Sequence, residues 1–236
     1  MIVGVDGCRA GWVVASLDDA PESGVRISIV GDLGETASRL RDASLHAVGI
    51  DIPIGLPTSG TRSCDVELRA FLGRRASSVF PAPVRAVIDP ASRADYAAAR
   101  ATSLAAHGKS LSIQTFNLLP KIAEVDELRR SGAFGLPKPR LIEIHPESAF
   151  VAMNDGQPLQ HGKKSPAGGS ERLALLAHHV PEFDADSAST PRAAAPDDVL
   201  DAVAALWSTR RWHAGTAQGF GDGSLDAAGI PMRIWV

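Results

Sequence analysis

The stretch MIVGVDGCRAGWVVASL (residues 1–17) contains two apolar, β-branched runs, IVGV (2–5) and WVVASL (12–17), joined by DGCRAG. A connection of that length with two glycines makes a hairpin. The first run ends in Asp6, and a lone buried carboxylate is costly unless something compensates it. Asp6 therefore either caps the turn or waits for a cation. VRISIV (25–30) follows a turn-forming DDAPESG and adds a third strand. LGETASRLRDA (33–43) has helical spacing with Asp32 as its N-cap, and HAVGID (46–51) is a short buried strand stopped by the prolines of IPIGLP. This β-β-β-α-β order predicts a mixed sheet. Strands one to three are antiparallel, and the fourth, reached through a helix, runs parallel to the first.

Residues 58–139 change character. Helical patterns at 63–73, 93–107 and 112–131 are separated by glycine and proline, with a loop, GRRASSVFPAPVR, between the first two. Pro120 either begins a helical turn or kinks a helix. PRLIEIHPE (139–147) returns to strand character, GKKSPAGGS (162–170) is a polar loop, and ERLALLAHHV (171–180) is an amphipathic helix. FDADSASTPRAAAP (183–196) reads as an irregular connection, DDVLDAVAALWSTRRW (197–212) as the last long helix, and IPMRIWV (230–236) as a terminal strand. Without an internal repeat or a clean linker, the expectation is one α/β domain over 1–236 carrying a helical insertion at 58–139.

No apolar run approaches the ~20 residues of a membrane span, and no basic leader precedes an apolar core. A membrane is thus not an expected partner. Cys8 and Cys64 lie far apart without histidines at finger spacing, which suits the reducing cytoplasm and argues against a disulfide scaffold or a zinc site. The net charge is −3, but Arg62–Arg100 holds seven arginines against four acids, leaving −6 on the remainder. A basic segment beside an acidic body suits a metal-dependent enzyme holding a polyanion; solvated helix and loop arginines are the other explanation.

The acids that matter are Asp6 and Asp51 at strand ends, Glu143 within the strand after the insertion, and Asp198 and Asp201, which share a helix face at i and i+3. Asp197, one position off, reads as the helix cap. Each has a separate local explanation, in turn formation or in the helix dipole. Together they are carboxylates on strands that should be central, and these repel unless a divalent cation lies between them. Hard oxygen ligands without cysteine point to Mg²⁺ or Mn²⁺. His145, two residues beyond Glu143 and on the same strand face, is a candidate proton shuttle or simply a hydrogen-bonded strand-end histidine. Arg74, Arg75, Ser77 and Ser78 offer phosphate contacts from a loop, as does Lys121 beside Pro120. Lys163 and Lys164 read as solvated, and Trp12, Trp207 and Phe116 as core.

Three antiparallel strands, a helix, a strand and a late helix, with acids on strands one and four and on that helix, resemble the ribonuclease H-like fold. Within it, VGVDGCRAGW, VGIDIPIGLP, GRRASSVFPAPVR, FNLLPKIAEVD, EIHPE, GKKSPAGGSERLALL and DDVLDAVAALW resemble the bacterial family of predicted nucleases called domain of unknown function 429. The helix pair in DDVLDA is similar to that of Holliday-junction resolvases, from which the long insertion departs. The resemblance implies nucleic acid as substrate and a two-metal carboxylate site. Asp6 would lie between two cations ~4 Å apart, with Asp51 or Glu143 on one side and Asp198 or Asp201 on the other. Two alternatives come from other classes. VDGCRAG superficially resembles the first phosphate loop of actin-like ATPases and sugar kinases, but those use two such domains and this turn lacks a GK[ST] ending. The other is a non-catalytic module of the same fold that binds nucleic acid or protein.

Overall fold

A computed structural model describes residues 1–20, 22–42, 45–134, 141–184 and 193–236. Strands β1 (Ile2–Cys8), β2 (Gly11–Leu17) and β3 (Arg26–Val30) form the antiparallel meander. Helix α1 (Leu33–Asp42) follows, with Asp32 Oδ1 accepting the Gly34 N–H at 2.5 Å, and leads to β4 (Ala47–Ile50). Between β4 and β5 (Leu141–Ile144) come α2 (Ser63–Leu72), 3₁₀ turns at Gly73–Ser78 and Arg85–Ile88, α3 (Tyr96–His107) and α4 (Ile113–Ser131). Then follow α5 (Pro146–Met153), α6 (Pro166–His179), α7 (Pro196–His213), β6 (Gly219–Phe220) and β7 (Ile234–Trp235). The strand order is β3-β2-β1-β4-β5-β7-β6. β4 is parallel to β1 with Val5 opposite Ile50, and β5 is parallel to β4 with Glu143 opposite Ile50.

The sheet divides two cores. On one face Ile2, Val13 and Ala15 meet Val199, Ala202, Val203 and Leu206 of α7, with Phe150 and Leu176 behind them. On the other face Val3, Val5, Val48 and Ile50 meet Leu33 of α1 and Leu119, Ile122 and Val125 of α4. Helix α7 lies directly on strand backbone. A Cβ added at Gly4 would stand 2.1 Å from Leu206 N and 2.3 Å from Ala202 O, and one at Gly49 would stand 2.0 Å from Thr209 Oγ1. Two glycines thus let the helix seat where any side chain would hold it off.

Several elements differ from the sequence reading. α6 begins at Pro166, inside the segment read as loop, because Ser165 caps it by accepting the Gly168 N–H and proline is favoured at the first helical position. α5 replaces the end of the predicted 139–147 strand. Pro120 interrupts nothing: α4 runs through it for 19 residues. The terminal strand shrinks to Ile234–Trp235, paired with both β5 and β6. Much of the connection read at 183–196, namely 185–192, lies outside the described residues, as do 139–140 at the start of the predicted strand. Among the described residues no helix is long and apolar enough to cross a membrane.

Candidate functional site

Side chains alternate along a strand, so the residue two beyond a glycine faces the same side. Gly4-Val5-Asp6 and Gly49-Ile50-Asp51 therefore aim both aspartates at the face covered by α7. The ladder extends to Asp51, whose N–H donates to Val5 O at 3.1 Å. On α7, Asp201 immediately precedes Ala202, the residue whose carbonyl overlies Gly4. The close seating that the glycines permit brings Asp201 down onto Asp6. Asp6 and Asp201 are both buried, 7% and 3% exposed. Burial, with Asp201 and Asp51 beside it, raises Asp6 well above the ordinary carboxylate range. Burial raises Asp51 too, while His145 and Lys163 pull it the other way. Burial pushes Asp201 up to about 6 against the attraction of Lys163.

Lys163 is the cation bonded directly to one of these acids. Its Nζ donates to Asp201 Oδ2 at 2.6 Å and lies 3.9 Å from Asp197 Oδ2. Burial lowers its pKa, but Asp201, Asp6 and Asp51 outweigh that and leave it raised. Lys163 is held by a loop that arginines brace. Arg75 donates to Leu159 O at 3.1 and 2.8 Å and to His161 O at 2.6 Å, and Arg74 donates to Pro158 O at 2.6 Å. The buried Arg172 donates to Gly168 O at 3.0 Å and to Glu147 Oε2 at 2.5 Å, and Glu147 Oε1 lies 3.5 Å from Arg75 Nε. The two arginines read as phosphate ligands are thus occupied by carbonyls of the chain itself. Arg75→Ala should lower stability by about 1.5–3 kcal/mol, the usual range for hydrogen bonds to charged groups, with little salt dependence. Exposed Arg74→Ala should stay within ~0.5 kcal/mol of the parent. Urea unfolding at low and high salt measures both.

The other expected residues separate. Glu143 turns to the face opposite the acids, since its neighbours Ile142 and Ile144 pack with Ala205 of α7. There it accepts from Arg62 at 2.7 and 2.8 Å and from Ile54 N at 2.7 Å, and the same guanidinium binds Asp65 at 2.5 Å. It belongs to a buried ion-pair network and is not beside Asp6. Asp198 accepts the Ala195 N–H at 3.0 Å at the start of α7, yet still contributes to raising Asp6. Asp197, read as the cap, faces Lys163, because the helix starts at Pro196. His145 stands close enough to Asp51 to stabilise its charge. Its Nε2 is 3.4 Å from Ser78 O, and its Nδ1 is buried without a hydrogen-bond partner among the described residues. Ser78 Oγ donates to Arg75 O, and Ser77 is exposed. Lys121 donates to Gly11 O and covers Trp12 with Nζ 4.1 Å from the ring, bracing the first hairpin.

In kind, this donor set fits a hard divalent cation: the carboxylates of Asp6, Asp51 and Asp201 lie near enough to act on one another electrostatically, and Lys163 binds Asp201. In position the fit is incomplete. Among the described residues no three His, Cys, Asp or Glu side chains converge tightly enough to hold an ion, and the Asp201 carboxylate is engaged by Lys163. The family model described as Protein of unknown function (DUF429) matches residues 4–224. No curated protein and no solved structure matches the chain.

Proposed function

We propose that this chain, which belongs to the DUF429 family, is a metal-dependent nuclease of ribonuclease H-like fold that hydrolyses phosphodiester bonds of nucleic acid. The observation that carries the proposal is the electrostatic proximity of Asp6, Asp51 and Asp201, from two adjacent parallel strands and the last long helix, with Asp6 and Asp201 buried. These three would hold Mg²⁺ or Mn²⁺, with Asp198 one turn away. When bound, such ions activate water and neutralise charge on a phosphodiester. His145, which acts on Asp51 and whose Nδ1 has no hydrogen-bond partner among the described residues, would be the proton carrier. Lys163 holds Asp201 by its ammonium and keeps the uncompensated acids from forcing the site apart. The two free cysteines among the described residues suit the cytoplasm.

The test is a panel of labelled DNA and RNA oligonucleotides, single-stranded, duplex and branched, incubated with Mg²⁺ or Mn²⁺. Cleavage by the parent that disappears in Asp6→Asn and Asp201→Asn supports the reading; no cleavage of any substrate counts against it. Lys163 adds a binding prediction. If its ammonium stands where a cation must come, Lys163→Ala should bind Mn²⁺ about tenfold more tightly in calorimetry, a factor worth ~1.4 kcal/mol. Unchanged or weaker binding would leave Lys163 as a helper of the bound state and not a competitor.

A further inference from the structure

A concavity lies beside β5 and β7, on the side of the sheet away from β3. It has a volume of about 430 Å³, and its lining includes Arg129, Arg233, Trp212 and Trp235 but none of Asp6, Asp51 or Asp201. Of its carboxylates, Glu143 is paired with Arg62, while Asp222 accepts from Ser63 and the Ser224 N–H, which fix it at the rim and keep it ionised. Among the described residues neither Arg129 nor Arg233 forms an ion pair or a side-chain hydrogen bond, and the Arg129 Nε is buried without a partner. Asp226, the acid that acts on Arg129 electrostatically, is taken by Arg85. Arg233 lies over the Trp235 ring at 5.7 Å, and Trp235 stands edge-on to Trp212 at 6.5 Å. Ile54 and Leu141 supply apolar wall.

Two guanidiniums without an anion, set among indoles and aliphatic wall, ask for a ligand with a phosphate at one end and a flat ring at the other. The volume falls in the range of small-molecule sites. We infer that this cavity binds a mononucleotide, with Arg129 and Arg233 on the phosphate and the tryptophans against the base. The inference stands apart from the acidic centre, which would repel the same phosphate in the absence of metal.

Isothermal titration of the full chain with adenosine 5′-monophosphate in EDTA tests it, with inorganic phosphate and adenosine as separate arms. The nucleotide should bind about tenfold or more tightly than either fragment, since each fragment loses one set of contacts. Arg129→Ala and Arg233→Ala should each weaken nucleotide binding about tenfold. Arg233 is half-exposed between Met232 and Ile234, so its replacement removes no core side chain and the test survives if the Arg129 variant fails to fold. No binding of the nucleotide by the parent, binding equal to that of phosphate or adenosine alone, or binding unchanged in Arg233→Ala would overturn the assignment. Because metal is withheld, none of these outcomes bears on whether the protein cleaves nucleic acid.

Discussion

Gly4→Ala should destabilise the protein by about 3 kcal/mol, the upper part of the usual range for overpacking, and should also dismantle the acidic centre. The new methyl would meet Leu206 N at 2.1 Å and Ala202 O at 2.3 Å, both backbone atoms of α7. No rotamer change relieves that contact, so the helix itself must lift. Ala202, Val203, Ala204, Ala205 and Leu206 are all fully buried, and a lifted α7 would open the core along its length. Asp201 would leave Asp6 with it. Gly49→Ala should cost somewhat less, about 2 kcal/mol, because the nearest atoms there, Thr209 Oγ1 and Ile144 Cγ1, belong to buried side chains that can turn at the expense of their own packing, whereas the backbone above Gly4 cannot. Gly31→Ala, with nothing within 4 Å, is the control and should lie within ~0.5 kcal/mol of the parent. Urea midpoints for the three variants order the effects. Equal costs would mean that α7 is not seated on the glycine at position 4.

The same glycines explain how much could be read from sequence. Gly-x-Asp occurs at the ends of two short apolar strands, and hairpin and helix signals put those strands side by side and parallel; β1 and β4 are so arranged. The i, i+3 acids of the last helix were legible because that helix carries a strong pattern. What was not legible depends on tertiary contact. Glu143 sits in a strand like the other acids, and only the packing of Ile142 and Ile144 against α7 shows that it faces the opposite way. α5 escaped because six of its eight residues are buried, which leaves no polar face for periodicity to reveal. β6 and β7 are two residues each, too short for alternation. Lys163 had one available signal: several buried acids demand a cation from the chain, and a lysine stands three residues before a proline-started helix. Loop composition made it look solvated. Arg74 and Arg75 show the converse ambiguity, since an arginine that binds phosphate and one that binds carbonyl oxygens, as these two do, look alike in sequence.

Asp6→Asn should produce the largest functional effect, abolishing any cleavage while leaving the protein folded, and its stability should move in a direction no turn-capping residue would give. Burial and the neighbouring Asp201 and Asp51 raise Asp6, and burial brings Asp201 to about 6. A raised carboxylate contributes its stability below the unfolded pKa near ~4, and that contribution is lost as pH rises through the folded value. The parent should therefore weaken from about pH 4 to above pH 6 through this cluster. Asp6→Asn removes the group that the others oppose, so its melting temperature should decline less over the same interval and exceed the parent's near pH 8 in EDTA. Divalent metal reverses the ranking. At a free concentration one hundred times its dissociation constant, Mn²⁺ should stabilise the parent by ~2.7 kcal/mol and the variant by little. A capping role predicts the opposite sign: the variant would be less stable by ~1 kcal/mol at every pH above the ordinary carboxylate range, with the same response to metal as the parent. Melting curves of both proteins from pH 4 to 8, with Mn²⁺ and with EDTA, decide between them, because only an acid held in mutual repulsion and waiting for a cation becomes less stable when charged and more stable when metal is added.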